Sequence, residues 1–585
     1  MPRSTLLGCL AMATLAGGCV GLSDVDRKVN RTVAERSEAL DTQSPAPRLD
    51  MPDPATAAVP GQTDPTPLTT NPAAADLPFN AADESRDVEA RLRDLMDESL
   101  LGPVPEPPLA GVEALRIGLP DAFQISQITA RDFLNAEEDY LLAAISLLIE
   151  RHRWDPRLFN DTSFNISGEA TDGSYENTAR LINDLRLTQR LPYGGEVAAS
   201  WIWQASEQLR EASTEDYRQS SEIALDATIP LLRGAGMTAR ESRIQAERNL
   251  VYAARDFERF RRQFLVDIAS DYFDLLQAQA SIRNEERRLL SAIGLEEQQQ
   301  ARFEAGEVAQ FQVNIARTDV LSARASLVNR REAYAIALDR FKVRLGIPVE
   351  QPVDVLPFTF AVPEPDIELQ EATRRGLEYR LDLQNTRDRV EDRRRAVANA
   401  ENNTLPDLDI NGRVGIPTDP DRDVGSVSFD PEELEYAAGI NLSLPLDREI
   451  ERLGVRQAQI NLQRQMRTYD QARDNVVVDV RRAVRAVEIA RYQLKLAEES
   501  VRISELRLEE QRLKLDEVDA QEIVDTNNAK LDAENRRDQA VTNLRNAVLN
   551  YLLDSGQMRV QRDGTFQALP GMERREMTPV DPQAP

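Results

Sequence analysis

The chain has 585 residues and a formal net charge of -28, which disfavours binding of nucleic acid through phosphate contacts. Only 5% of the residues are aromatic whereas 29% are charged, a profile typical of long helices with charged surfaces rather than of compact cores. Solubility of a large acidic rod accounts for most of the excess negative charge.

Residues 1–18 are predicted to form a signal peptide. Arg3 supplies the positive start, the apolar run from Leu6 to Leu15 is too short to cross a bilayer, and small residues follow at Ala16-Gly17-Gly18. Cys19 comes next, in a pattern that resembles the lipobox of bacterial lipoproteins, although Leu15 lies four positions before the cysteine and the lipobox usually has three. We therefore expect export, with Cys19 as the lipidated first residue.

The mature chain is predicted to contain no free thiol. Cys9 would leave with the signal peptide and Cys19 would carry lipid, which excludes disulfides and thiolate metal sites. Residues 19–118 then hold the lipidated N terminus, a proline-rich linker from Asp41 to Pro78 and a short polar helix.

The folded part is predicted to start with a helix from Leu119 to Arg153, capped by Asp121. Residues 157–230 change to a period of two, which predicts strands. Between the two outer strands, residues 185–203 are predicted to form an additional hairpin that turns at residues 192–195. Trp201 and Trp203 share one face of this hairpin, and the sequence leaves open whether it lies in a membrane or outside it.

A long helical hairpin is predicted next, from Thr238 to about Phe303, through a turn at residues 304–307, and back to Leu345-Gly346-Ile347-Pro348. A helix from Ile367 to Asn402 and two further alternating runs lead to a second long helix. Its apolar seam has a period of 3.5 residues, the signature of a left-handed coiled coil. The seam comprises Leu462, Met466, Tyr469, Arg473, Val476, Val480, Ala483, Val487, Ala490, Leu494, Ala497, Val501, Ser504, Leu508, Gln511 and Leu515.

The chain contains one unit twice. Pro230 corresponds to Pro445 at an offset of 215 residues, and Gly346 corresponds to Gly556 at an offset of 210. We assign residues 119–348 to the first repeat and 349–556 to the second, followed by a polar, disordered tail at 557–585.

Two strands in each repeat make four per chain, too few to close a barrel. Three chains would close a 12-stranded barrel with a polar lumen and would gather the long helices into a hollow cylinder. The predicted fold class is therefore mainly α with a membrane β-barrel portion, built from two coiled-coil hairpins and four strands per chain.

The order of these elements resembles the TolC-type outer membrane efflux family. The resemblance covers roughly Leu119 to Gly556 and depends on the duplicated order of its motifs. These are Ile229-Pro230-Leu231-Leu232-Arg233-Gly234, Leu444-Pro445-Leu446, Arg302-Phe303-Glu304-Ala305-Gly306-Glu307-Val308 and Leu345-Gly346-Ile347-Pro348. It implies a homotrimeric duct in the outer membrane with a large periplasmic portion. Its implied partners are a periplasmic adaptor and an inner membrane pump of a tripartite efflux or type I secretion system.

The resemblance also implies two functional regions. The turns at Gly306, Glu307, Val308 and at Asp516, Glu517, Val518 would be the tips that contact the adaptor. Acidic residues just beyond the second turn would form the gate at the periplasmic mouth, which points to Glu522 and Asp525, three apart on one helical face. The corresponding residues of the first repeat, Gln312 and Ile315, are not acidic. The competing explanation is that these carboxylates are ordinary solvated residues near a helix turn and have no role in gating.

Two other classes of protein remain as alternatives. An enzyme is disfavoured because the one histidine, His152, lies between arginines at a helix end, and no nucleophile motif, phosphate loop, cofactor motif or metal-ligand spacing occurs. A lipid-anchored periplasmic scaffold or an adaptor is the second alternative, although an adaptor carries one helical hairpin and this chain has two. The sequence does not identify the cargo.

Overall fold

The computed structural model describes residues 22–39, 114–171, 174–209, 217–356, 368–418, 428–513, 519–560 and 566–567. The predicted signal peptide, Cys19, the proline-rich linker and most of the predicted C-terminal tail lie outside these residues. In the described part, no helix combines the length and the hydropathy needed to cross a membrane.

The described helices are dominated by two long hairpins. The helices are α1 (Leu22–Ala39), α2 (Leu119–Thr129), α3 (Arg131–His152), α4 (Glu241–Glu304), α5 (Gln310–Leu345), α6 (Leu369–Tyr379), α7 (Leu381–Asn402), α8 (Glu449–Leu513) and α9 (Ala520–Asp554). The predicted hairpins are thus present as α4–α5 and α8–α9. Helix α1 has no counterpart among the predicted elements.

The internal repeat is visible in the helix lengths. Helices α2 and α6 have 11 residues each, and α3 and α7 have 22 each. Helices α4 and α8 have 64 and 65 residues, and α5 and α9 have 36 and 35. Gly346 and Gly556, which follow α5 and α9, both have positive φ, of 76° and 69°.

Two predicted helices are each broken in two. The helix expected from Leu119 to Arg153 stops at Ala130, whose ψ of 124° is extended, and the helix expected from Ile367 to Asn402 stops in the same way at Arg380. Neither break has a proline or a glycine at it. Asp121 is not the cap residue itself, because the cap is Gly118, whose N–H donates to Asp121 Oδ2 at 2.9 Å.

The described strands form one large sheet and two small ladders. The strands are β1 (Leu115–Ile117), β2 (Arg157–Thr171), β3 (Ser174–Arg190), β4 (Glu196–Leu209), β5 (Tyr217–Pro230), β6 (Val353–Val355), β7 (Asp407–Pro417), β8 (Glu435–Ser443), β9 (Arg559–Val560) and β10 (Phe566–Gln567). The large sheet is antiparallel with the order β2-β3-β4-β5-β7-β8. Strand β1 pairs with β6 in parallel, and β9 pairs with β10.

The prediction of four strands per chain is wrong, because the large sheet has six strands within the described residues. The additional hairpin, which was predicted separately, is present as β3–β4. It lies inside the sheet between β2 and β5, so the first repeat supplies four strands and the second supplies two.

The chain divides into two compact units. The sheet unit contains Met1–Arg36, Tyr140–Ala254 and Asn385–Gln471, and the helical unit contains Ser37–Asp139, Arg255–Gln384 and Ala472–Pro585. In the helical unit, Phe133 packs edge-on against Phe257 with ring centroids 5.7 Å apart. Further along α4, Tyr272 and Phe273 are fully buried. Burial of such aromatic side chains stabilises the packing of helices that are too charged elsewhere to form a broad core.

Candidate functional site: a two-faced sheet and a helical tip

The six-stranded sheet has one apolar face. The strand register places one apolar residue of every strand in a single row: Leu158, Leu187, Ala199, Leu225, Val414 and Tyr436. All six side chains are exposed. Trp201 and Trp203 lie on this face, as predicted, and Trp201 Nε1 donates a hydrogen bond to Ser221 Oγ at 2.7 Å. A contiguous apolar surface of this extent marks a site that contacts lipid or another protein.

The opposite face of the sheet carries charged side chains that pair across strands. Arg413 contacts Glu222 at 2.5 Å and Asp226 at 3.2 Å, and Arg186 contacts Asp161 at 3.4 Å. Because successive residues of a strand point to opposite sides, one sheet presents an apolar surface and a polar, hydrogen-bonding surface at the same time. This is the arrangement of a wall between hydrocarbon and water.

The predicted seam of α8 is confirmed in the helical unit. From Val476 to Gln511 its members are buried or half-buried, whereas Met466 and Arg473 are exposed and Leu515 lies outside the described residues. The buried members are Val476, Val480, Ala483, Val487, Ala490, Val501, Leu508 and Gln511. A second, exposed seam runs two residues out of step, about 200° around the helix, and its apolar residues are interrupted by Arg482, Arg485, Glu499 and Glu510. Its apolar members are Val478, Ile489, Tyr492, Leu496, Ile503, Leu506 and Leu513. The first seam is covered within the chain, and the second is available to another helix.

The first predicted tip is a tight turn between α4 and α5. Gly306 has a φ of 78° and donates its N–H to Phe303 O at 2.9 Å, while Arg302 pairs with Glu307 at 3.2 Å. Glu307 is exposed and Val308 is half-buried. The second predicted tip, Asp516, Glu517 and Val518, lies outside the described residues.

The predicted gate residues lie on the exposed side of α9. Glu522 Oε1 accepts a hydrogen bond from Gln511 Nε2 at 3.2 Å, and Asp525 Oδ1 accepts one from Gln521 Nε2 at 3.0 Å. The intervening Ile523 and Val524 are buried with Leu295 and Ala316. The structure thus brings the two carboxylates to one face, at the same end of the hairpin as the tip, and their role in gating stays a prediction.

Gln312, the counterpart of Glu522 in the first repeat, joins the two hairpins. Its buried side chain donates to Asp519 Oδ1 at 3.0 Å and accepts from the Ala520 N–H at 2.9 Å, so it satisfies a backbone donor of the first turn of α9. The sequence marks Gln312 only as a non-acidic position. Its contacts depend on how the hairpins pack.

Replacing Gln312 with alanine is expected to loosen the first turn of α9. A buried donor that loses its partner costs about 1–3 kcal/mol, equivalent to roughly 5- to 150-fold faster local opening. Hydrogen–deuterium exchange of residues 519–526 measures this change. Gln521→Ala, which removes a hydrogen bond on the exposed side of the same helix, is the control and should leave the exchange of the Ala520 amide unchanged. Equal protection in both variants would contradict the assignment.

A pH effect is expected from Asp271 on α4. Burial raises the pKa of its carboxyl, Arg344 at 3.0 Å opposes the shift, and Asp274 and Asp267 add to it. Because the folded-state pKa lies above the ordinary value of 3.8, this carboxyl contributes stability that is fully present below about pH 4 and is lost as the pH rises through the folded-state pKa. Asp271→Asn should therefore reduce the loss of stability as the pH rises above about 4, measured as the thermal midpoint in detergent. The control is Asp532→Asn, which changes an exposed carboxylate of α9. It should leave the pH dependence of the thermal midpoint as it is in the native chain.

The family model of the outer membrane efflux proteins matches residues 373–548. Comparison with curated protein sequences gives no significant match. Among solved structures, the CmeC outer membrane channel of Campylobacter jejuni aligns with a TM-score of 0.57 and 15% identity over 79% of this chain and 92% of CmeC. The outer membrane protein VceC of Vibrio cholerae aligns with a TM-score of 0.58 and 14% identity over 75% of this chain and 96% of VceC.

The open state of the MtrE outer membrane channel of Neisseria gonorrhoeae aligns with a TM-score of 0.56 and 15% identity, over 76% of this chain and 90% of MtrE. At these identities the structures establish a shared fold, and the family model adds a sequence match within the second repeat. The resemblance predicted from the sequence is thereby confirmed: residues 373–548 match the outer membrane efflux protein family, and the chain has the fold of solved outer membrane channels.

Proposed function

We propose that three copies of this chain form an exit duct through the outer membrane, which passively releases substrates delivered by a periplasmic adaptor and an inner membrane pump. The proposal is supported chiefly by the six-stranded sheet, through its two different faces and its open edges. Its apolar face is exposed, its other face is polar, and in the described part of the chain its two edge strands, β2 and β8, are each paired on one side only. An open edge cannot persist in hydrocarbon, because its backbone donors and acceptors would have no partners.

The exposed seam of α8 supports the same assembly. Its apolar members repeat with the 3.5-residue period of a helix that packs against a neighbour, and within the described chain this face is exposed. A second copy that covers this seam would bring the helices side by side, as a hollow helical stalk requires. The family match agrees with this proposal, and the function involves no catalysis.

Lipidation of Cys19 and export by the signal peptide complete the proposal for localisation. A lipid on Cys19 would tether the chain to the membrane into which the sheet inserts. Helix α1 begins at Leu22, three residues after Cys19, so the lipid would be attached next to this helix.

The test of the duct is fractionation followed by sizing. The full chain should partition with the outer membrane, resist extraction by salt, and run as a trimer in mild detergent. Release by salt as a monomer would support the periplasmic scaffold and would contradict the duct. Labelling with a radioactive fatty acid, lost in Cys19→Ala, tests lipidation separately.

The gate of this duct is proposed at Glu522 and Asp525. Three copies would bring six carboxylates around the axis, and such a ring attracts cations. In single-channel recordings, block by divalent cations should weaken in the double variant Glu522→Ala with Asp525→Ala. Glu391→Ala, which removes an exposed carboxylate of α7, is the control. If the divalent-cation block of the double variant equals that of the native channel, Glu522 and Asp525 do not form the gate.

A further inference from the structure

The hairpin β3–β4 has no counterpart among the described residues of the second repeat. Between α7 and α8 the described residues form two strands, whereas between α3 and α4 they form four. The flanking helices match in length, so the repeats differ in their strands: the first repeat adds the hairpin, Ser174–Arg190 and Glu196–Leu209, and its outer strands are longer. The hairpin is therefore an addition to one repeat of an otherwise duplicated unit.

The hairpin is paired on both sides. Strand β3 pairs with β2 from Ser174 through Thr188, and β4 pairs with β5 from Glu196 through Glu207. It therefore separates β2 from β5 and widens the sheet. A hairpin packed on top of the sheet would leave β2 and β5 adjacent.

Both faces of the hairpin continue the faces of the sheet. Leu187 lies in the apolar row with Leu225, two strands away, and Arg186 lies on the polar face. Strands β3 and β4 have 17 and 14 residues, and a membrane-spanning strand needs about 9–11. The hairpin thus has the length and the alternation of a wall strand.

The turn of the hairpin is fixed to the base of the sheet. Gly194 and Gly195 have φ values of 107° and 86°, and the N–H of Gly236 donates to Tyr193 O at 2.7 Å. A Cβ at Gly195 would lie 2.0 Å from Thr228 O, so the turn packs directly against β5. These contacts hold the hairpin at the point where β5 leads into α4.

We infer that each chain supplies six strands to the wall, so that three chains close a barrel of about 18 strands rather than 12. This inference rests on the proposed trimeric duct. Six is an even number, so β2 of one chain and β8 of the next run antiparallel and can pair. Barrel diameter grows roughly linearly with strand number, so the wall is about half again as wide as a 12-stranded one.

Site-directed cysteine labelling in lipid nanodiscs tests the inference. Leu187→Cys and Arg186→Cys are neighbours on β3 with comparable exposure, 43% for Leu187 and 43% for the Arg186 side chain. Leu225→Cys and Asp226→Cys are the matched control pair on β5, which is a wall strand whether the wall has 12 strands or 18. The two native cysteines lie at positions 9 and 19, so the unsubstituted chain serves as the labelling blank.

A fluorophore at Leu187→Cys should be quenched by nitroxide lipids as strongly as one at Leu225→Cys, and the labels at Arg186→Cys and Asp226→Cys should be quenched only by a water-soluble agent. If the β5 pair alternates and both β3 positions respond only to the water-soluble agent, the hairpin lies outside the wall and the inference is overturned. If the β5 pair itself fails to alternate, the proposed duct fails as well. A strand count of 18 by electron cryomicroscopy of the same sample would support the inference, and a count of 12 would overturn it.

Discussion

Replacing Leu225 with arginine is expected to prevent stable assembly in the membrane. Leu225 is central in the apolar row of the sheet and 51% exposed within one chain. If this face meets hydrocarbon, an arginine near the bilayer midplane costs about 2–4 kcal/mol in each chain, and the cost recurs in every copy of a trimer. If the face meets water instead, substitution at an exposed position changes stability by no more than about 0.5 kcal/mol.

The control for this prediction is Asn411→Arg on the polar face of β7. Asn411 is exposed and pairs with Thr228 in the register, so the same cation is introduced with its side chain in the lumen. Trimer yield after detergent extraction should fall by at least tenfold for Leu225→Arg and stay near the native level for Asn411→Arg. Equal trimer yields for the two variants would mean that both faces of the sheet contact the same environment, which would contradict the prediction that one face meets lipid and the other meets water.

Gly346→Ala is expected to destabilise the helical unit more than the same change at either of two other glycines with similar φ. Gly346 ends α5 with a φ of 76°, and a Cβ there would lie 2.1 Å from Thr129 O. An alanine with left-handed backbone costs about 1–2 kcal/mol. The overlap with a backbone oxygen adds about 1–3 kcal/mol, because α5 and the end of α2 must separate. Separation would also break the 2.6 Å hydrogen bond from Thr129 Oγ1 to Leu345 O.

Gly306 and Gly556 provide the matched controls. Gly306 has a φ of 78° with no atom within 4 Å of an added Cβ, so Gly306→Ala should show the backbone cost alone. At Gly556 the added Cβ would lie 3.1 Å from the Cβ of Tyr379, and Gly556→Ala should fall between the two. Free energies of unfolding from denaturant titration in detergent measure the order. Three equal losses would show that the close packing of Gly346 against Thr129 contributes nothing.

The long helices could be predicted from the sequence because their periodicity is local. The seam of α8 needs only residues that recur at 3.5-residue spacing, and Gly346 and Gly556 mark helix ends by themselves. The breaks at Ala130 and Arg380 could not be predicted in this way. Each break lies where the end of a short helix meets the closing glycine of its own repeat, Gly346 or Gly556, so it depends on packing between segments that are distant in sequence.

The strand count shows where reasoning from the repeat failed. The hairpin at residues 185–203 was visible from its alternation and its Pro-Tyr-Gly-Gly turn, but the duplication favoured equal numbers of strands in the two repeats. Pairing partners are not encoded locally, so the sequence could not place β3 and β4 between β2 and β5. The same limit applies to Gln312, whose role in capping α9 arises only when the two hairpins pack together.

Electron cryomicroscopy of the full-length chain, extracted from outer membranes into lipid nanodiscs, tests the central claim most directly. We predict a threefold ring in which β2 of every chain is hydrogen-bonded to β8 of its neighbour, with the row from Leu158 to Tyr436 facing lipid. A particle with one chain, in which both edges of the sheet stay open or are covered by the chain itself, would contradict it.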